Sequence, residues 1–459
     1  MQKILLFFCP MILFGYTIDF DTALFKTLEL NKGLKAKKLT IKQSKEDLTI
    51  AKSYDYGTLI FNENISNTNN AGYVFGMKLA SREASFADFG FDEFLSQMGN
   101  TGTKAGQNSL LATEPTNLNY AESRTNYETK VTYTVPLFTG FKLQSAKKMA
   151  KLQILAKNAQ YNYDEKLLTL EVLKAYNGAV AAKEFIKATH KAKEATASFV
   201  TFADELYKEG LVTSIDVKQA KVYDMGIDSN SISAKNRYEL ALSYLRFLTT
   251  DTNISDVQAF KNISNRVESV PTLQKKAHEN REDFRAMRYN TQTMKTKIEM
   301  QESQSYPTIG TQIEYGYNDN QLNNINSDKD YYMAAIGLSY TLFDGSLSSA
   351  KKEKAKIEYN KTHYYLEYMK DAIALEVEKN MLTVKAKQKI LNQKIKANNL
   401  SDEVLEQSQE LYKNHLINMS NLLLQQANQQ KANAEMILAK YEKSLAAAQL
   451  KISLGENLQ

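Results

Sequence analysis

Leu206–Val217 reads LYKEGLVTSIDV, and Leu411–Leu422 reads LYKNHLINMSNL. The two stretches lie 205 residues apart, with Leu206, Tyr207 and Lys208 over Leu411, Tyr412 and Lys413, and Asp216 over Asn421. The same offset carries PLFTG at Pro136–Gly140 onto TLFDG at Thr341–Gly345. In each pair the second motif follows the first across a long, uninterrupted tract, which marks a tandem duplication. The two copies are read as 16–251 and 271–459, joined by a polar linker at 252–270.

Working outward, the tracts between the motifs read as helix. Pro occurs only at 10, 115, 136, 271 and 307, so three tracts of more than a hundred residues have none. Asp19–Lys52 has apolar residues at three- and four-residue intervals, with Gly33 its one breaker, and is expected to be one helix. Phe141–Tyr207 is a second, stopped by Gly210. Ser214 or Asp216 caps a third that runs to Thr249. The other copy repeats the order with Leu273–Gln304, Ser346–Leu411 and Asn421–Leu454. At 1.5 Å per residue, Phe141–Tyr207 spans roughly 100 Å. Each pair of shorter helices sums to about the length of its long one, so two short helices stacked end to end can run antiparallel to a long one.

Between the helices lie alternating segments. Ile309, Thr311, Ile313, Tyr315 and Tyr317 interleave with small or polar residues, as do Tyr332, Ala334, Ile336, Leu338, Tyr340 and Leu342. Val131, Tyr133 and Val135 alternate likewise, and Thr58–Ile65 is the weakest of the four strands. An apolar or aromatic face, a polar face and a length near ten residues suit strands of an outer-membrane barrel. Periodicity alone also admits a two-sided soluble sheet. Residues 66–126 form a connection too long for a hairpin. Its Phe-rich stretch FGMKLASREASFADFGFDEFLSQMG is expected to form a short amphipathic element in an extracellular loop.

The composition narrows the function. The chain is 43% hydrophobic and 24% charged, with 27 Tyr, 20 Phe and no Trp, which excludes wholesale disorder. A net charge of +6, with both signs interleaved, gives no reason to expect a nucleic-acid partner. Residues 1–15 read as a signal peptide: Lys3, an apolar run from Ile4 to Phe14, then Gly15. The single Cys, Cys9, lies inside it, and Phe7 and Phe8 argue against a lipid anchor there, so the mature chain carries no thiol. No later stretch reaches eighteen apolar residues, so no membrane helix is expected. His190, His278, His363 and His415 are dispersed, with no HExxH, no GxSxG and no phosphate-cradling glycine loop. Met294, Met300 and Met333 are too scattered for a copper path. The chain is therefore expected to be no enzyme and to carry no cofactor or metal.

The duplicated strand-to-helix junction, the LYKEGLVTSIDV tip and the helix–strand–strand–helix order resemble the TolC-like outer membrane efflux proteins over essentially the whole mature chain. The resemblance implies a mainly α fold with transmembrane β-structure. Three copies give four strands each to a twelve-stranded barrel, and their helices form a periplasmic tunnel with 252–270 in its equatorial region. Physics agrees, since four strands in lipid have two open edges that an oligomer must close. The implied function is a passive exit duct in the outer membrane of a Gram-negative bacterium. It would work with a periplasmic adaptor and an inner-membrane pump, in drug efflux or type I secretion. Tyr412 and Asp216 stand at the positions of a tip-closing link; Ile417 stands where a second link can have a basic residue. Asn421 and Leu424 occupy the acidic-ring positions without a carboxylate. Asp216 reads equally well as a plain helix cap. The tip loops, Gly210, Leu211, Val212, Thr213 and Ser214 with His415, Leu416, Ile417, Asn418, Met419 and Ser420, are expected to dock the adaptor. The competing reading is a structural periplasmic coiled-coil protein without a channel, which leaves the alternating strands unexplained. A nucleic-acid-binding coiled coil conflicts with the signal peptide.

Overall fold

The computed structural model describes residues 15–100, 102–264, 268–322 and 327–458. The expected signal peptide, Gly15 apart, lies outside them. In chain order come Tyr16–Ile18 (β1), Phe20–Leu30 (α1), Lys32–Ser53 (α2) and Thr58–Thr68 (β2). Four short helices follow: Ala71–Ala80 (α3), Phe91–Gln97 (α4), Lys104–Leu111 (α5) and Thr116–Asn119 (α6). Then come Arg124–Phe138 (β3), Lys142–Lys208 (α7), Ser214–Thr249 (α8) and Ile254–Val257 (β4). The second half runs Val270–Asn280 (α9), Glu282–Glu302 (α10), Thr308–Asp319 (β5), Asp330–Ser339 (β6), Leu347–Lys413 (α11) and Met419–Ser453 (α12). The 205-residue offset holds to the residue at the ends of the long helices: 142 over 347 and 208 over 413.

Two compact units emerge, one from the residues up to Ser44 with Leu152–Gln292 and those from Asn360 on, the other from Lys45–Lys151 with Thr293–Tyr359. The first is helical. Its main core gathers Ile18, Phe20 and Leu24 with Val172, Leu173 and Tyr176 of α7, Leu242, Leu245 and Leu248 of α8, and Ala447, Ala448 and Ile452 of α12. Ile254 and Val257, in the segment expected to be only a polar linker, are fully buried there, and β4 pairs in parallel with β1. Such short strands carry too few alternating positions to be read from sequence.

The expected single helices at 19–52 and 273–304 are each broken. Gly33 is not the breaker. Asn31 leaves helical geometry at ψ 119, its Oδ1 accepts from the Leu34 amide at 3.0 Å, and its Nδ2 donates to the Leu248 carbonyl. Arg281 does the same at ψ 121; its buried guanidinium is paired with Asp283 and Glu376. In both cases a polar side chain restarts the helix by satisfying the freed backbone or neighbouring charges.

The second unit holds a four-stranded antiparallel sheet in the order β2-β3-β5-β6, so β2 and β6 are its edges. The ladders and the pleat decide the faces. Leu59, Phe61 and Ile65 share one face with Val131, Tyr133, Val135, Ile313, Tyr315, Tyr332, Ile336 and Leu338. Glu63 is the one carboxylate among them on β2, and it accepts from the Thr129 hydroxyl. The other face is polar. There Lys130 reaches Glu128 at 3.1 Å and Glu314 at 3.7 Å, and the Tyr331 hydroxyl donates to both carboxylates. Gly316 makes room for this: a Cβ there would stand 2.8 Å from the Lys130 Cβ and 3.1 Å from the Tyr331 ring.

The long connection expected to hold one short amphipathic element folds as α3–α6. It is tied back by Ser81, Arg82 and Glu83. Glu83 pairs with Arg124 and Lys329, while Arg82 donates to the Asp328 and Asp330 carbonyls at 2.8 Å each.

Candidate functional site

The turns joining α7 to α8 and α11 to α12 are built alike. Gly210 and His415 both take left-handed backbone, at φ 76 and 61. Behind each, an amide reaches back five residues, Leu211 to the Leu206 carbonyl at 2.9 Å and Leu416 to that of Leu411 at 2.8 Å. These bonds satisfy the last carbonyls of the long helices. Thr213 and Asn418 then occupy the N-caps of α8 and α12. Asp216 completes a capping box, its Oδ2 accepting from the Thr213 amide at 3.0 Å and the Thr213 hydroxyl at 2.7 Å. Asn418 does the equivalent work alone, its Oδ1 accepting from the Asn421 amide at 2.9 Å. Ser214, offered by the sequence as a cap, is the first helical residue.

Beneath the turns, Phe199, Ala203 and Leu206 of α7, Val217 and Ala220 of α8, Tyr412, and Met419, Leu422 and Leu423 of α12 form one small core. Tyr412 is buried, edge-on to Phe202, and its hydroxyl has no partner. Burial raises its pKa, with the charge of Asp216 adding to the shift. The phenol and the carboxylate are thus near enough to feel each other, but in this conformation Asp216 is engaged by its own cap. Leu211 and Leu416 are exposed, whereas Val212 and Ile417 pack against the core. Met419, expected in the docking loop, is fully buried and serves the interior instead. Asn421 and Leu424 lie exposed on α12, and Ser420 donates to Gln219 at 2.9 Å, tying α12 to α8.

One feature of this region was not read from the sequence. Lys193 of α7 holds Asp224 and Asp228 of α8 at 2.7 Å each. At the 205 offset these become Asn398, Gln429 and Asn433, and there the Asp402 carboxylate accepts from the Asn398 amide at 3.0 Å and the Gln429 amide at 2.7 Å. The offset itself was the signal that could have found it.

Acid–base or nucleophilic chemistry has no constellation here; what the arrangement can do is hold, cap and release helix ends. Among the described residues no three His, Cys, Asp or Glu side chains group to hold a metal, and no helix is long and apolar enough to cross a membrane.

Comparison with known proteins follows the same outline. The family model of the outer membrane efflux protein matches residues 95–250 and 273–456. No curated protein matches the chain. Among solved structures, the chain is similar to CusC at 12% identity, covering 97% of this chain and 94% of that one with a TM-score of 0.79. The outer membrane protein VceC from Vibrio cholerae gives 14% identity, 96% and 97% coverage and 0.75. The CmeC outer membrane channel of Campylobacter jejuni gives 12%, 96% and 86%, and 0.77. At such identities the likeness is one of fold.

Proposed function

Because this chain belongs to the outer membrane efflux protein family and so to the outer membrane of a Gram-negative bacterium, we propose that it is the passive exit duct of a tripartite efflux or type I secretion system. The carrying observation is the sheet with two unlike faces and two unpaired edges. An apolar face suits lipid, a polar face with Glu128, Lys130 and Glu314 suits a water-filled lumen, and open edges have no place in hydrocarbon. Three copies closing edge to edge give twelve strands, within the range of such barrels. The helices then form the periplasmic tunnel, with 16–251 and 271–459 as its paired repeats.

At the tip, exposed Leu211 and Leu416 are the residues we assign to docking a periplasmic adaptor that links the duct to an inner-membrane pump. Tyr412 and Asp216 are assigned to holding the resting end shut. The alternative of a periplasmic coiled coil without a channel has no use for the two-faced sheet.

Extraction in mild detergent tests the reading. The expected result is a heat-resistant trimer that gives single-channel conductance in planar bilayers. A monodisperse monomer, soluble without detergent and silent in bilayers, overturns it.

A further inference from the structure

Two to six turns beyond the start of α8, a cavity of about 650 Å³ opens between α7, α8 and α12. Its floor is apolar, with Phe185 of α7 and Ile227 of α8. Its polar lining is one-sided. None of its eighteen lining residues is Asp or Glu, in a chain that has 52 of them. Acids on the same helices are engaged: Asp224 and Asp228 by Lys193, and Glu435 by Lys394, with the charge of Lys431 adding to the latter.

The donors, by contrast, lie in the lining itself. Arg237 and Lys431 line the cavity at its exposed rim, and Lys431 lies near enough to Glu435 for its charge to help hold that carboxyl below the usual range. The Gln430 Nε2 is buried with no partner. Tyr223 lines the same space; its burial pushes the phenol up to about 12, so it stays a protonated donor. A buried donor without an acceptor is costly; the Gln430 amide meets that description, with the half-buried Tyr223 phenol beside it and two exposed cations at the rim. The volume is that of a site for a drug-sized molecule.

We propose that this cavity binds an amphipathic organic anion. Its carboxylate or sulfonate takes the Arg237 and Lys431 charges and the Tyr223 and Gln430 donors, and its apolar body lies against Phe185 and Ile227. Arg237 supplies the fork that a carboxylate matches with two bonds. Gly226 marks the open side: a Cβ added there meets nothing within 4 Å. A larger side chain at that lining position can therefore be introduced at the cavity mouth, and it removes a helix-weakening glycine.

The test is titration calorimetry on the full-length protein, reconstituted as its oligomer in lipid nanodiscs, with deoxycholate as the anionic probe and tetraphenylphosphonium as a cation of comparable apolar bulk. Deoxycholate is expected to bind saturably, one per chain, above the uptake of empty nanodiscs, and the cation not to bind. Arg237→Gln with Lys431→Gln should weaken deoxycholate at least about tenfold, the size expected for losing charge-assisted bonds. Gly226→Phe should abolish binding while the protein still assembles. Absence of saturable binding, equal uptake of the cation, or binding unchanged in Gly226→Phe overturns the proposal. A helix of a neighbouring copy or of a partner filling the cavity would show as that absence. The duct reading is judged separately by conductance, so either can fail while the other stands.

Discussion

Gly210 and His415 occupy one position in the two repeats, and both adopt left-handed backbone, at φ 76 and 61. Only the first is a glycine. An L-residue in that conformation costs roughly 1 kcal/mol, because its Cβ approaches its own backbone. His415→Gly should therefore raise the stability measured by denaturation by about that much, and Gly210→Ala should lower it. Nothing lies within 4 Å of a Cβ built on Gly210, so the penalty there comes from backbone alone. A loss with His415→Gly would mean that the imidazole makes a contact in the assembled protein that outweighs the strain.

Glu83 is the hub of the clamp on the loop helices. Burial works to raise its pKa, but the hydrogen bonds from Lys329 and Arg124 prevail and hold it below the usual range. A carboxyl lowered in the folded state stabilises above its unfolded value, near 4.3 for Glu, and that contribution is lost as pH falls through the folded value. Limited proteolysis should accordingly begin to cut within 84–120 below about pH 4. Glu83→Gln should produce the same cutting at neutral pH, since it leaves the largely buried Arg124 short of a counter-charge and Lys329 with Asp319 alone, at a cost of about 1–3 kcal/mol. An unaltered cleavage pattern in Glu83→Gln would show that α3–α6 are held by packing alone.

How much of this was legible beforehand depended on whether the signal was periodic. The long helices and three of the four strands show directly as periodicity, and the 205 offset aligns Thr213 with Asn418 as readily as Tyr207 with Tyr412. The helix breaks were not legible, because the partner of Asn31 is the Leu248 carbonyl, 217 residues away. At the tip, the hydrophobic loop residues looked equivalent in sequence. Met419 opens α12 and packs into the core with Leu206 and Val217, whereas Leu416 sits in the turn before the helix and is exposed.

Asn421 and Leu424 are exposed on α12 with no carboxylate at either position. If they face the lumen of the assembled tunnel, Asn421→Asp places three negative charges around the axis. Cation preference and block by divalent ions should rise, and both should fade as salt screens the charges. The Asn421 amide is capped by Asn418, not by its own side chain, so the substitution leaves the cap intact. Reversal potentials that do not move would place the residue on the outer surface.

Capping and gating at Asp216 can be told apart. Its carboxylate closes the capping box on Thr213, and removing such a cap costs about 0.5–2 kcal/mol. The Tyr412 hydroxyl is buried and unbonded, so deleting it removes an unmet donor and costs nothing in this conformation. Tyr412→Phe should therefore be neutral or mildly stabilising for the fold, and Asp216→Ala destabilising. Gating gives a different pattern. If the resting trimer turns the Asp216 carboxylate onto the phenol, a bond of about 1.5–3 kcal/mol forms where it is partly shielded. Both substitutions should then raise conductance and let large antibiotics leak into cells. The double variant should add little, because both cut one link. Single-channel recording beside thermal denaturation reads the two effects apart. Conductance unchanged in Tyr412→Phe, with stability lost only in Asp216→Ala, would leave Asp216 a helix cap and nothing more.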